Sequence, residues 1–270
     1  MDLGLQGKVV LVTGGGMGVG RAICKQLASE GAAVIVNDIL VDRCESVRDE
    51  IVNAGGKAIA APFDIIDLDA TKAGVAQAAA QMGAIDILVN NAGVVPERRT
   101  GEIGLPTFRE MAPHFWKKIV DLNYYGVMNC VAAVVDGMIE RKSGKIISMV
   151  SDAARLGEAR MAVYSGAKAA IIGFSKAIAK ELGPHGINVN AVSLAVVAHE
   201  NPIAGFQKLT ATVETDETLR KVLRNYPIGQ GLGRLARAED AADTVAFLAS
   251  DRSAYITGQV LGVNGGFAMI

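Results

Sequence analysis

Short apolar runs recur along the chain at Val9–Val12, Ala33–Val36, Ala58–Ala61, Ile85–Val89, Lys145–Met149, Asn188–Val192 and Gln259–Val263. Each is brief and mostly apolar, the pattern of a strand covered on both faces in a parallel sheet. Between them the apolar positions spread to helical spacing, at Gly20–Glu30, Asp42–Ala54, Ala70–Met82, His114–Glu140, Tyr164–Leu182 and Ala238–Leu248. Strand and helix in alternation predict an α/β fold, a doubly wound parallel sheet with helices on both faces. No linker rich in Pro, Gly or Ser interrupts the pattern, so residues 1–270 are expected to form a single domain.

Two stretches break the rhythm. Residues 94–113 separate a strand from the next helix and carry Glu97, Arg98, Arg99, Glu102 and Arg109; connections this long are often functional. Residues 194–226 form the expected substrate lid, and their second half, Asp216–Tyr226, should be a helix with Leu219, Val222, Leu223 and Tyr226 on one stripe. Both stretches would emerge at the carboxyl ends of strands, where open α/β sheets bind ligands.

Composition narrows the function. Half of the 270 residues are hydrophobic and 20% are charged, with 27 basic side chains against 28 acidic ones. That excludes a disordered chain, a collagen-like fibre and a disulfide scaffold. A net charge of -1 gives little support to nucleic-acid binding. The most apolar stretches, Val127–Val135 and Ile187–Ala198, are too short or too interrupted to cross a bilayer. The beginning Met-Asp-Leu-Gly lacks the basic flank and apolar run of a secretory signal, so the cytoplasm is the expected location. Cys24, Cys44 and Cys130 lie far apart, as do His114, His185 and His199, and neither set has metal-ligand spacing.

The candidate chemistry begins after the first strand, where Thr13-Gly14-Gly15-Gly16-Met17-Gly18-Val19-Gly20 leads directly into a helix. Glycines at such a turn let a backbone approach a pyrophosphate, and the helix N-terminus attracts it. Such a string can also be a tight turn without a ligand. Asp38 lies eighteen residues beyond Gly20, close to the distance at which a carboxylate meets an adenosine ribose. It would repel a 2′-phosphate, and neither Met17 nor Ile39 offers a cation to bind one. NAD is therefore expected rather than NADP.

A second constellation is Tyr164-Ser165-Gly166-Ala167-Lys168, whose spacing puts phenol and ammonium on one helical face. A nearby cation favours a phenolate and suits the tyrosine to proton transfer. Ser151 precedes Tyr164 by thirteen residues and can stand at the edge of the same cleft, its hydroxyl aimed at a carbonyl oxygen.

Taken in order, the glycine turn, Asp38, Asn90-Asn91-Ala92-Gly93, Asn123, Ser151 and the Tyr164/Lys168 pair resemble the classical short-chain dehydrogenases/reductases. The resemblance runs nearly end to end and includes Tyr226-Pro227-Ile228-Gly229 and Asn264-Gly265-Gly266. It implies a Rossmann-type fold and a catalytic set of Asn123, Ser151, Tyr164 and Lys168. Tyr164 would be the general acid/base, Lys168 would lower its pKa and bond the nicotinamide ribose, Ser151 would orient the reacting oxygen, and Asn123 would hold a water leading to solvent. NAD would lie against Gly14, Gly16, Met17, Gly18, Val19, Gly20, Asp38, Ile39, Asp64, Ile65, Asn91, Ala92, Gly93, Tyr164, Lys168, Val196 and Val197. The partners implied are a small alcohol or ketone and further copies of the chain in a homotetramer.

One departure stands out. After the strand at Asn188–Val192 the family usually has Pro-Gly and then a threonine, whereas this chain reads Ser193-Leu194-Ala195-Val196-Val197-Ala198-His199. The ending in His resembles a subset acting on acyl-CoA thioesters of steroid and alicyclic-acid breakdown. Arg98, Arg99 and Arg109 could then meet a CoA phosphate, or belong to a solvated loop. The expected function is NAD-dependent interconversion of a secondary alcohol and a ketone, the substrate a cyclic alcohol or a 3-hydroxyacyl-CoA-type ester. Alternatives are an NADPH-dependent 3-oxoacyl-acyl-carrier-protein reductase and a non-catalytic NAD-binding sensor or scaffold.

Overall fold

The computed structural model describes residues 2–95, 104–198 and 217–270, apart from the side chain of Thr218. Glu97, Arg98, Arg99, Glu102, His199 and Asp216 lie outside the described residues. Seven parallel strands form one sheet in the order β3-β2-β1-β4-β5-β6-β7: β1 (Val9–Val12), β2 (Ala33–Val36), β3 (Lys57–Ala60), β4 (Ile87–Asn90), β5 (Gly144–Ser151), β6 (Ile187–Leu194) and β7 (Val260–Val263). Strand order reverses between β1 and β4, and that crevice is the switch point at which such sheets bind ligands.

Helices α1 (Gly18–Ser29), α2 (Val41–Asn53) and α3 (Leu68–Met82) connect the first four strands. Helices α4 (Pro113–Val120) and α5 (Gly126–Arg141) precede β5, the short α6 (Ala153–Leu156) and long α7 (Ala162–Leu182) precede β6, and α8 (Glu217–Leu223), α9 (Pro227–Leu232) and α10 (Ala238–Ala249) precede β7. Successive side chains of a strand point to opposite faces, and β1, β2 and β4 are buried on both. Val10 and Val12 pack with Ile23, Leu27, Val47 and Val245 of α1, α2 and α10. Val9 and Leu11 pack with Val75, Val131, Val134 and Met138 of α3 and α5. A fully buried Leu or Ile of this kind contributes roughly 1.5–3 kcal/mol of transfer free energy, which is why the strands read as nearly unbroken apolar runs.

Two expectations are corrected. The helix expected over His114–Glu140 is broken, since Asp121–Tyr125 form a π-helical turn between α4 and α5. The chain stays helical through it, so helical periodicity carries no mark of the break. The helix expected through Tyr226 stops at Leu223, and Tyr226 instead starts α9, whose Pro227 occupies the first helical position. Tyr226 still shares a buried cluster with Leu219, Leu223 and Leu235. No helix among the described residues is long and apolar enough to cross a membrane.

Candidate active site

The turn after β1 is held on three sides. Thr13 N–H donates to Val89, the Thr13 hydroxyl oxygen accepts from the N–H groups of Asn91 and Ala92 at 3.1 and 3.3 Å, and Gly15 N–H donates to Asn37 at 2.7 Å. Gly14 and Gly18 have φ of 60° and 53°, the left-handed region that favours glycine. At Gly20 the constraint is space, because a Cβ would collide with the Gly14 carbonyl and the Asn91 amide. Gly20 thus lets α1 pack close to the turn. No side chain caps α1 and no acidic residue occupies its first turn, which suits its positive end to an anion.

Gly16 faces Asp38. A Cβ placed on Gly16 would lie 2.9 Å from Asp38 Oδ2 and 2.5 Å from Arg43 Cβ, so the bare glycine leaves room in front of the carboxylate. Asp38 is 6% exposed, and its Oδ1 accepts from Leu40 N–H at 3.2 Å. Ile39 beside it is exposed. The stem of Arg43, on α2, was missed by sequence reading, which considered only Met17 and Ile39 as neighbours of a phosphate. Asn37, a buried side chain, donates to the carbonyls of Ala61 and Phe63 and so brings the end of β3 to that of β2. Asp64 follows there, its Oδ1 accepting from Ile66 N–H, while Ile65 is buried beneath Gly126.

Asn91 has a structural use that sequence reading did not include. Its side-chain amide donates to the carbonyls of Thr13 and Gly14 at 3.1 and 3.0 Å, clamping the glycine turn from the end of β4. Ala92 backs Gly14, where a Cβ would stand 2.8 Å from Ala92 Cα. Gly93 lies between two candidate catalytic side chains, since its Cβ would be 2.8 Å from Asn123 Oδ1 and 2.9 Å from Lys168 Nζ.

Three local features carry the four candidate catalytic side chains. The π turn carries Asn123, which is 1% exposed; its amide donates to Ile119, and its Oδ1 is buried without a partner among the described residues. Helix α7 carries Tyr164 and Lys168 one turn apart, with Lys168 Nζ 5.9 Å from the centre of the Tyr164 ring. Lys168 is 3% exposed and donates to the Met149 carbonyl of β5 at 2.8 Å. Burial pushes its ammonium down to about 8. Ser151 ends β5, and its Oγ accepts from Ala153 N–H at 3.2 Å, which leaves its own proton to donate elsewhere. Phenol, ammonium and hydroxyl are the parts of a proton-transfer site at an alcohol or carbonyl oxygen.

The wall beside Tyr164 is apolar. Val95 and Met111 from the two described ends of the long loop join Ile119, Phe115, Trp116, Leu122 and Val163 around it. Leu156 and Tyr125 are each 51% exposed, and Tyr125 faces a groove with Ile66, Leu68 and Asn129. Phe115 and Trp116 were passed over because an aromatic on a helix ordinarily reads as core. Arg160 Nη1 donates to the Leu105 carbonyl and ties the loop to the segment leading into α7.

The chain matches the short chain dehydrogenase family model over residues 8–204. It is a member of the classical short-chain dehydrogenases/reductases. The 3-oxoacyl-acyl-carrier-protein reductase FabG of Staphylococcus aureus is 36% identical over 263 residues, covering 97% of this chain and 98% of the relative. The corresponding reductase of Escherichia coli is 34% identical over 269 residues, covering 99% and 100%. The crystal structure of a 3-oxoacyl-acyl-carrier-protein reductase from Brucella melitensis with bound NAD superposes with a TM-score of 0.84 at 30% identity, covering 98% of this chain and 92% of that one. This short-chain dehydrogenase is therefore an oxidoreductase of the group acting on CH–OH donors.

Within that family, its unusual segment after β6 is nonetheless firmly placed. Ala198 N–H donates to Ala236 at 2.8 Å, Val197 bridges Ala236 as a short parallel pair, and the Val196 backbone hydrogen-bonds the Tyr226 oxygen. Tyr226 stacks on Phe267 with ring centres 5.1 Å apart. In place of a Pro-Gly turn, the segment is held by hydrogen bonds to Ala236 and Tyr226, which flank α9.

Proposed function

We propose that this dehydrogenase interconverts a secondary alcohol and a ketone with NAD(H), the reacting oxygen being the 3-oxygen of an acyl thioester. The observation that carries the cofactor choice is Asp38, nearly buried with Oδ2 open toward Gly16. A carboxylate there accepts from ribose hydroxyls and repels a 2′-phosphate. Gly14, Gly16, Met17, Gly18, Val19 and Gly20 would hold the pyrophosphate, Ile39, Asp64 and Ile65 would border the adenine, and Asn91, Ala92, Gly93, Val196 and Val197 would border the nicotinamide half. The substrate class is supported by the relatives' names and by the apolar wall of Val95, Met111 and Trp116. The crystal structure of the similar Brucella melitensis reductase holds bound NAD, which supports this reading.

In the direction of oxidation, Tyr164 takes the hydroxyl proton. Tyr164 does so as the phenolate that the charge on Lys168 favours, becoming the neutral phenol, and the Ser151 hydroxyl donates to the substrate oxygen and fixes its position. The orphaned Oδ1 of Asn123 accepts from a water that returns the proton to solvent. Bound NAD would supply the hydride acceptor. The reading includes a cytoplasmic homotetramer, for which small-angle scattering should give a tetrameric mass and a monomeric mass would contradict it.

The test is a substrate panel of cyclic secondary alcohols and 3-hydroxyacyl-CoA esters, read by NADH absorbance, with 3-oxoacyl thioesters assayed in reverse with NADH and NADPH. Thioesters should be the best substrates and NADH the better reductant. A cyclic alcohol that outperforms every thioester would overturn the substrate class, and NADPH preference would overturn the role of Asp38.

A further inference from the structure

Directly after Ser151 stands a buried carboxylate that the reaction does not use. Asp152 is 1% exposed. Its Oδ1 accepts from the Ser193 hydroxyl of β6 at 2.6 Å, and its Oδ2 accepts from the Asn264 amide beyond β7 at 2.7 Å. The Arg155 guanidinium lies 3.7 Å from Oδ1 with its side chain 10% exposed. Gly262 has no side chain here for good reason, because a Cβ would stand 3.0 Å from the Asn264 amide and 3.3 Å from Arg155 Nη1.

A buried carboxylate is costly unless donors surround it, and these donors come from β6, α6 and the end of the chain. Asn264 passes the connection on, donating to the Ala268 carbonyl and accepting from Gly266 N–H. The Asp152 backbone is pinned as well. Its N–H donates to Leu194, and its carbonyl accepts from the N–H groups of Arg155 and Leu156 at 2.9 Å. Ala153, whose N–H holds the Ser151 oxygen, lies inside that turn.

We propose that Asp152 is a positioning residue for Ser151, fixing through Ser193 and Asn264 the turn that aims the serine hydroxyl at the reacting oxygen. The proposal rests on the alcohol–ketone reading of the site. It gives residues 264–268, far from Ser151 in sequence, a share in the rate. The cofactor turn on β1 has no part in this network, so binding of NADH should not depend on it.

The experiment is a cycle of Asp152→Asn, Asn264→Asp and the double variant, with kcat on the best substrate, NADH affinity by fluorescence and Tm measured for each. Asp152→Asn should lower kcat about tenfold or more, since a buried acceptor is replaced by an amide facing another amide, with NADH affinity within about twofold of wild type. Asn264→Asp opposes two carboxylates and should be worse. The double variant restores a carboxylate–amide pair across that hydrogen bond but leaves the Ala268 carbonyl facing a carboxylate, so it should recover part of the loss and exceed the kcat of Asn264→Asp at least about threefold. An unchanged kcat in Asp152→Asn, an equal loss of NADH affinity, or a double variant no better than Asn264→Asp overturns the proposal. Should Asp152→Asn not fold, Ser193→Ala removes one donor only and should still lower kcat about threefold with NADH affinity intact; an unchanged kcat there overturns it equally. A wild-type chain that binds NADH and turns over no alcohol or ketone overturns the functional reading instead, and this proposal with it.

Discussion

The two sides of the β1–β4 crevice are built in different ways. On the side proposed for the cofactor, four short strands are joined by compact helical connections, and the proposed contacts are mostly backbone: Gly14, Gly16, Gly18 and Gly20, with Asp38 as the side chain proposed to select. On the side proposed for the substrate, the connections after β4 and β6 are long in sequence, and the proposed chemistry rests on side chains from a π turn, a strand end and a helix. The first kind of site tolerates almost no added volume. The second depends on electrostatics and aim, and its weak points are single polar groups.

That contrast is broken first at the substrate side. Tyr164→Phe removes the proton carrier while keeping the ring against Val163 and Ile119, so kcat should fall about a thousandfold or more with NADH affinity nearly unchanged, by stopped-flow turnover and fluorescence titration. Lys168→Met should lower kcat about a hundredfold yet raise Tm at pH 7. The sign follows from burial. The ammonium titrates near 8 in the folded chain against 10.5 ordinarily, so the unfolded state binds more protons between those values. The wild type therefore carries its full penalty below pH 8 and loses it as pH rises to 10.5. Thermal scans should show the stability advantage of Lys168→Met shrinking across that window, and a pH-independent difference would contradict the burial argument.

On the cofactor side the effects are those of space and selection. Gly20→Ala forces a methyl group against the Gly14 carbonyl and the Asn91 amide, and should cost on the order of 2–3 kcal/mol of stability together with NAD affinity, measured by Tm and titration. Asp38→Ala should move the NADPH-to-NADH ratio of kcat/KM about tenfold to a hundredfold toward NADPH, since repulsion is lost and Arg43 remains beside the site. The smallest change is expected at Glu50→Gln, which loosens the partly exposed contacts with Arg21 and Lys25 and should alter stability by less than about 1 kcal/mol.

The same contrast explains what could be read in advance. The strands, their order of appearance and the glycine turn were legible because each is local: an apolar run buried on both faces, or a turn followed at once by a helix. The Tyr164–Lys168 pair was legible because one helical turn joins it. The π turn at Asp121–Tyr125 was not, since the extra residue per turn leaves apolar periodicity intact on either side. Nor was the second use of Asn91, whose amide proved to be a clamp on the turn that it was expected to complement with a ribose contact. The Asp152 network joins residues 41 and 112 positions apart, a separation over which no pattern in a single sequence speaks.

The central claim is that the residues around Lys168 and the turn around Gly16 serve one hydride transfer to or from a carbinol carbon. It is tested most directly by following deuterium from NADH carrying deuterium at both nicotinamide C4 positions during reduction of the best ketone substrate. Label found at the carbinol carbon of the product, at one deuterium per turnover, is the predicted result. Label lost to solvent, or product formed without it, would contradict the account.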